Sequence, residues 1–209
     1  MSLELIELSV SRGGVALFAP LSLQVAAGDV VTVMGPSGVG KSTLLDGIGG
    51  HLAHGFSQAG RVLVQGRDVT ALPAEARRIG LMFQDALLFP HLSVGDNLAF
   101  GLPAAIKGRA VRRAAVEAAL AQAGLEGMYA RDPATLSGGQ KARAALMRAL
   151  VADPLALLLD EPFSKLDAGL RSEMRRFLFG HLRARGIATL MVTHDPEDAA
   201  EAGGMVVDL

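Results

Sequence analysis

The sequence predicts an α/β fold with a mostly parallel central sheet, and two observations lead to this prediction. First, nearly continuous apolar runs at Val30–Met34, 155–159 and 187–192 are typical of strands that are buried on both faces. Second, each run is followed by a segment with helical signals, such as a capping residue or apolar residues three or four positions apart. Strands that alternate with helices favour an α/β architecture.

Length, charge and composition limit the classes of protein to consider. The 209 residues include 20 Lys and Arg against 21 Asp and Glu, which gives a formal charge of −1. This balance argues against a polybasic surface, so no nucleic-acid partner is expected. No apolar stretch reaches the ~18 residues that a membrane-spanning helix needs, and the first residues do not resemble a secretory signal. The chain contains no cysteine, which excludes disulfides and thiolate metal sites. We therefore expect one domain over 1–209 in the cytoplasm.

The first elements in chain order are strands. Apolar and polar residues alternate at 3–10 and Leu21–Val25, which predicts two half-buried strands ahead of the Val30–Met34 strand. Residues 61–69 are expected to form the arm of a hairpin. Residues 79–83 are expected to form a further buried strand.

The pattern then changes to helices. Apolar residues step by three or four positions between 93 and 135, so about 93–135 is interpreted as an inserted helical subdomain. The segments 1–92 and 136–209 are interpreted as the core with its β subdomain. A helix over 138–152 is expected to stop before Pro154, because the residue before proline avoids α geometry.

The last elements return to the alternating pattern. Asp167 can cap the start of a helix that ends near Gly186. Pro196 is expected to begin a short helix, and 205–209 to form a last short strand.

The first motif that carries chemistry is a glycine-rich loop between a predicted strand and a predicted helix, with the pattern G-x-x-x-x-G-K-[ST] (the P-loop). Glycines let backbone amides turn toward phosphate oxygens, and the following helix adds its positive end. Lys41 can reach the β- and γ-phosphates, and the Ser42 hydroxyl can complete a Mg²⁺ shell. A glycine-rich turn that binds nothing is the alternative. The expected nucleotide-binding residues are Gly35, Pro36, Ser37, Gly38, Val39, Gly40, Lys41, Ser42 and Thr43.

The second motif is a pair of carboxylates, Asp160 and Glu161, at the end of the apolar run at 155–159. A buried strand that ends in an acid can place Asp160 beside the P-loop as a Mg²⁺ ligand. Glu161 would then lie next to the attacking water. The alternative is a core strand with a solvated acidic end.

The third motif is Leu136-Ser137-Gly138-Gly139-Gln140, shortly before the acidic strand. A serine hydroxyl and bare amides at a helix start can form a second anion-binding site. A single chain would have difficulty bringing two such sites to one γ-phosphate. The economical solution is a head-to-tail homodimer in which the P-loop of one subunit and this motif of the other enclose ATP, with two sites by symmetry. The motif residues expected to bind are Ser137, Gly138, Gly139 and Gln140.

Three further motifs complete an ordered set of six. Gln84 follows the 79–83 strand, Ser-Lys-Leu-Asp occupies 164–167, and His194 follows the strand at 187–192. With these motifs the sequence resembles the ATP-binding subunits of ABC transporters over nearly its whole length. The resemblance implies a P-loop NTPase core with a mostly parallel sheet, an N-terminal antiparallel β subdomain and an inserted helical subdomain. It also implies ATP and Mg²⁺ as cofactors.

The resemblance implies roles for single residues. Glu161 would polarise the attacking water, His194 would contact the γ-phosphate, and Gln84 would contact Mg²⁺ or water and sense the transporter. Ser42, Gln84 and Asp160 are the expected metal-site residues. Asp167 would cross the dimer interface and order the opposite P-loop.

The adenine site departs from the family pattern. Arg12 stands where the family has an aromatic residue that stacks on adenine. A guanidinium can also stack on a base, and Phe18 is an alternative from the same loop. ATP is the expected nucleotide, and GTP stays open as a second substrate.

The stretch 84–94 resembles the stretch after the Q-loop in bacterial importers, and the chain as a whole resembles the importer ATPases of the group that serves thiamine, iron and polyamines. The resemblance implies permease subunits as partners, and through them a periplasmic or extracellular substrate-binding protein. The chain would then be an ATPase on the inner face of the cell membrane. The transported substrate is not encoded in this subunit. The alternatives are a soluble ATPase of the same type that acts on nucleic acid or ribosomes, and a nucleotide-binding regulator without turnover.

Overall fold

A computed structural model describes residues 2–36, 38–85 and 87–209. The strands are β1 (Leu3–Arg12), β2 (Val15–Ala16), β3 (Leu21–Val25), β4 (Val30–Met34), β5 (Phe56–Val64), β6 (Arg67–Asp68), β7 (Ile79–Met82), β8 (Ala156–Asp160), β9 (Ala188–Val192) and β10 (Val206–Asp208). The helices are α1 (Lys41–Gly49), α2 (Ala74–Arg77), α3 (Val94–Gly101), α4 (Arg109–Gln122), α5 (Gly138–Val151), α6 (Ala168–Arg185) and α7 (Pro196–Ala202), with a short 3-10 helix at Pro133–Thr135.

The central sheet is parallel, with the strand order β10-β4-β9-β8-β7. Strand β9 is buried along its whole length, and β4 and β8 are buried except at their last residues. This burial explains why these strands have nearly continuous apolar sequences. Because all strands are parallel, the carboxyl ends of β4, β8 and β9 lie at the same edge of the sheet. Ligands bind at this edge in open α/β folds. The predicted fold class is confirmed.

The second sheet is antiparallel and centres on β1, which pairs with β2, β3 and β5. The register between β1 and β5 shifts between Ile6 and Ser9, and Glu7 in this bulge has a φ of +48°. Gly60 lies opposite, and a Cβ there would come within 2.3 Å of the Glu7 carbonyl oxygen. The close approach of the two backbones therefore requires glycine at this position.

Two apolar cores hold these layers together. One lies between the antiparallel sheet, α1 and one face of the parallel sheet. The other lies between the opposite face, α5, α6 and the helices α3 and α4. Helix α3 begins at Ser93, whose hydroxyl accepts a hydrogen bond from the Asp96 amide.

Most predicted elements are present, with three corrections. The two-residue strand β2 was not predicted. The strand predicted from residue 61 begins at Phe56, because the polar residues before it pair with β1 from Arg12 onward. The short helix α2 was not predicted. Asp167 caps α6 through the Leu170 amide, and Gly186 ends it at a φ of +61°, as predicted. The boundaries of the core and of the helical subdomain stay a prediction. Within the described ranges, no helix is both long and apolar enough to span a bilayer.

Candidate active site

The P-loop connects the buried strand β4 to α1. Gly38 and Gly40 have φ angles of +85° and +110°, which L side chains rarely adopt. The Lys41 Nζ donates hydrogen bonds to the carbonyl oxygens of Gly35 (2.8 Å) and Pro36 (3.0 Å). The loop therefore curls around an ammonium group at the N-terminus of a helix, where amides are free to bind anions. Ser37 lies outside the described residues.

A cavity of about 230 Å³ opens at this loop. Its lining combines an ammonium group, hydroxyls, backbone amides and one carboxylate, which suits a polyphosphate with a divalent cation. The residues that line it are Gly38, Gly40, Lys41, Ser42, Thr43 and Glu161.

Asp160 lies at the end of β8 beside this cavity, where it is partly buried. The pKa of its carboxyl group is raised, mainly by burial and further by the charge of Glu161. Hydrogen bonding to the Ser42 side chain and the charge of Lys41 act in the opposite direction. A hydroxyl and a partly desolvated carboxylate in contact are oxygen ligands of the kind that Mg²⁺ takes. Ser42 and Asp160 therefore fit the predicted metal site.

Glu161 is held between two other predicted catalytic residues. Its Oε1 lies 3.0 Å from His194 Nδ1, and its Oε2 accepts a hydrogen bond from Gln84 Nε2 at 3.4 Å. The backbone of Glu161 has a φ of +44°, and its amide donates to the Val192 carbonyl at 3.0 Å. A non-glycine residue held in this region is strained, and such strain clusters at functional sites. The structure thus brings Gln84, Glu161 and His194 together.

Ser164 belongs to the 164–167 motif, but the sequence analysis gave it no role of its own at this site. Its hydroxyl accepts from Gln84 Nε2 at 3.2 Å and donates to the Glu161 carbonyl at 3.0 Å. The signal available in the sequence was its position three residues after Glu161, which is the span of one turn. Ser164 therefore fixes the position of Gln84 relative to Glu161.

The Ser137 motif begins α5 with a reciprocal cap. The Gln140 amide donates to Ser137 Oγ at 3.3 Å, and the Ser137 amide donates to Gln140 Oε1 at 3.0 Å. Gly139 is buried, and a Cβ there would come within 2.5 Å of the Leu170 side chain. Ser137 and Gly138 are exposed. Gln140 and Gly139 thus shape the helix start, while Ser137 and Gly138 are left facing outward.

The remaining predicted site residues lie at two other places. The Arg12 guanidinium lies over the ring of Phe56, 5.3 Å from its centroid, and is exposed. Phe18 is buried in the core beside Gly40. Asp167 is exposed at the start of α6. Among the described residues that line the P-loop cavity, none belongs to the Ser137 motif.

The chain was compared with known proteins. The family model described as ABC transporter matches residues 18–164. The chain is 51% identical over 193 residues to the uncharacterized ABC transporter ATP-binding protein YnjD of Escherichia coli (strain K12). The aligned region covers 92% of the chain and 88% of that protein. It is 43% identical over 205 residues to the thiamine import ATP-binding protein ThiQ of Ruegeria sp. (strain TM1040), with 98% of the chain and 87% of that protein covered.

A third relative is longer. The chain is 45% identical over 195 residues to the sulfate/thiosulfate import ATP-binding protein CysA of Caulobacter vibrioides. The aligned region covers 90% of the chain but 56% of that protein. The chain thus spans just over half the length of this relative. The matched region contains the P-loop, Gln84, the Ser137 motif and Glu161. The chain therefore belongs to the ABC transporter family, as one of its ATP-binding ATPase proteins.

Proposed function

We propose that the chain is the subunit that hydrolyses ATP to energise import through an ABC transporter. The observation that carries this proposal is the Glu161 carboxylate, which lines the P-loop cavity and is held by Gln84 and His194. A carboxylate held in place beside a phosphate site can accept a proton from an attacking water. The names of the relatives, which include import proteins, support the direction of transport.

The residues of the site divide the work of phosphoryl transfer. Lys41 and the amides at the start of α1 bind the phosphates, and Ser42 and Asp160 would hold Mg²⁺. When bound, Mg²⁺ neutralises charge on the transferring phosphoryl group. As water attacks the γ-phosphorus and the bond to ADP breaks, Glu161 takes the proton of the water. His194 orients this carboxylate and contacts the γ-phosphate.

A second copy of the chain completes the site. Ser137 and Gly138 lie at the exposed N-terminus of the 14-residue helix α5, outside the lining described for the P-loop cavity. A head-to-tail homodimer would bring this anion-binding helix end to the γ-phosphate held by the partner P-loop. Asp167, exposed at the start of α6, would then face the partner P-loop. ATP closes this dimer, and hydrolysis reopens it.

The surface for the permease is a groove between the core and the helices. A cavity of about 290 Å³ is lined by Gln84, Leu87, Lys141 and Lys165, among others. Leu87 in this lining is 56% exposed, which is typical of an apolar side chain that another protein covers. Because Gln84 lines both this groove and the Glu161 site, a permease helix seated here would affect hydrolysis. The chain would act at the inner face of the membrane.

This chain would not determine which substrate is transported. The relatives are named for thiamine, Fe(3+) and sulfate or thiosulfate. Permease subunits, and through them a substrate-binding protein, would select the substrate. The comparisons do not favour the alternative of an ATPase that acts on nucleic acid or ribosomes.

The proposal is tested by the ATP hydrolysis rate of the purified chain with Mg²⁺. Glu161→Gln is expected to lower this rate about 10²-fold or more, as for loss of a general base, while nucleotide binding is retained. Glu173→Gln is the matched control, since Glu173 is an exposed carboxylate on α6 that pairs with Arg143. Hydrolysis at the parental rate by the Glu161→Gln chain would remove Glu161 from this role.

A further inference from the structure

Arg171, in the first turn of α6, contacts two loops of the site at once. Its Nη1 donates to Asp195 Oδ2 at 2.7 Å, and its Nη2 donates to the Leu166 carbonyl at 3.2 Å. Asp195 directly follows His194, and Leu166 belongs to the 164–167 loop that follows Glu161. The two ends of one rigid guanidinium therefore join these loops.

The loop that carries His194 also makes hydrogen bonds with the elements on its other side. Asp195 Oδ1 accepts from the Glu197 amide at 2.9 Å and so caps α7. The Thr193 hydroxyl accepts from the Asp195 amide at 3.1 Å and donates to Asp198 Oδ2 at 2.8 Å. These bonds tie the loop to α7, and the Thr193 amide, which donates to the Val33 carbonyl at 3.2 Å, ties it to β4. Arg171 makes the bond that connects it to the 164–167 loop.

Arg175, one turn further along α6, has a different role. It is 3% exposed, and its Nε donates to Asp198 Oδ1 at 2.7 Å. Its contact with Asp195 is longer, at 3.3 Å. Its other carboxylate partners, Glu197 and Glu201, lie in α7. Arg175 therefore anchors α6 to α7.

We propose that Arg171 is a positioning residue that couples the 164–167 loop to His194, so that movement of this loop sets the position of the imidazole against Glu161. The proposal rests on the proposed ATPase function and on the head-to-tail dimer, because Asp167 in the same loop would meet the partner subunit. Closure of the dimer would then be transmitted to His194 through one side chain. His194 Nδ1 lies 3.0 Å from Glu161 Oε1, so a shift of the loop changes this contact directly.

The test compares Arg171→Met with Arg176→Met, a matched control that removes an exposed arginine from the same helix. Arg171→Met is expected to lower kcat for ATP hydrolysis about 10- to 100-fold, the effect of a misplaced catalytic group, and to change KM less than twofold. Arg176→Met is expected to hydrolyse ATP at the parental rate. Arg171→Lys keeps the charge but not the fork, so its kcat is expected to lie between those of the parent and Arg171→Met.

A second readout reports the imidazole itself. The chain has five histidines, and the NMR signal of the His194 ring is assigned by its loss in His194→Gln. Arg171→Met is expected to shift this signal and leave the signals of His51 and His54 in place, whereas Arg176→Met moves none of them. If Arg171→Met does not fold, both readouts are made on Arg171→Lys, with smaller effects in the same direction.

The outcomes separate this inference from the proposed function. A parental kcat in Arg171→Met, or an unmoved His194 signal, overturns the positioning role even if the other readout changes. A parent chain that binds Mg-ATP but hydrolyses it neither alone nor with its permease overturns the proposed function. In that case the NMR comparison still decides whether Arg171 positions His194.

Discussion

At the scale of one residue, the partly buried Asp160 carboxylate lowers the stability of the folded chain when no cation is bound. Burial is the largest effect on this carboxyl group and raises its pKa above the ordinary value of 3.8. The folded chain therefore binds this proton more tightly than the unfolded chain does. Consequently the free energy of unfolding falls as the pH rises from the unfolded pKa through the raised folded pKa, and stays lower above it.

Asp160→Asn is therefore expected to raise the midpoint of thermal unfolding at pH 7 when Mg²⁺ and nucleotide are left out. The gain is expected to shrink as the pH falls through the raised pKa of the folded chain, because the parent carboxyl is then protonated. The same variant is expected to lose Mg²⁺-dependent hydrolysis, a trade of activity for stability. Glu126→Gln, which changes an exposed carboxylate, serves as the control. An unfolding midpoint lowered by Asp160→Asn at pH 7 would contradict the burial argument.

Single residues differ in how far the sequence could predict their surroundings. The positions of Glu161, His194 and Gln84 after strands could be predicted from the apolar pattern of those strands, whereas the resemblance to the family implied the roles of His194 and Gln84. The contact of Arg12 with Phe56 could not be predicted, because Phe56 lies in the first part of β5, where the polar sequence does not indicate a strand.

Helix α3 shows at the scale of an element how a buried polar residue organises a loop. Asn97 has no exposed surface, and its Nδ2 donates to the carbonyl oxygens of Phe89, Leu92 and Ser93 at 3.0–3.2 Å. Its Oδ1 accepts from the Phe89 amide at 2.8 Å and from Arg148 Nη1 at 3.4 Å. One side chain thus ties the loop after Gln84 to α3 and, through Arg148, to the helix that begins at Ser137.

Asn97→Ala is expected to lower the free energy of unfolding by about 1–3 kcal/mol, because it leaves the partly buried Phe89 amide and Leu92 carbonyl without their Asn97 partner. The measurement is the urea midpoint followed by circular dichroism. Glu117→Ala breaks an exposed i,i+4 pair with Arg113 and is expected to change stability by less than about 0.5 kcal/mol. Equal midpoints for the two variants would show that the hydrogen bonds of Asn97 do not stabilise the fold.

Elements with a strong local pattern were predictable, and elements fixed by distant contacts were not. The bounds of β3 and β4 agree with the apolar pattern. Helix α2 has four residues, and Arg77 in it caps α1 from a distance by donating to the carbonyl oxygens of Gly47 and Ile48. These acceptors lie about 30 positions away and are backbone atoms, so no side-chain pattern reveals them.

At the scale of the whole molecule, the parallel sheet gathers the residues around the P-loop cavity. The P-loop, Glu161 and His194 follow strands of this sheet at the same edge, and Asp160 is the last residue of β8. The Ser137 motif instead begins a helix packed against α3 and α4. The motifs could be predicted from the sequence, but their separation in one chain depends on the tertiary arrangement. This separation is the physical reason to expect a dimer.

Size-exclusion chromatography with light scattering on the Glu161→Gln chain tests the shared ATP site most directly. With Mg-ATP the mass is expected to rise from 21.7 kDa to twice that value, and to stay at the monomer mass without nucleotide. Adding Ser137→Arg is expected to abolish the dimer while ATP still binds, because the bulky side chain blocks closure away from the P-loop. A chain that binds Mg-ATP and stays monomeric, alone and with its permease, would contradict the shared site.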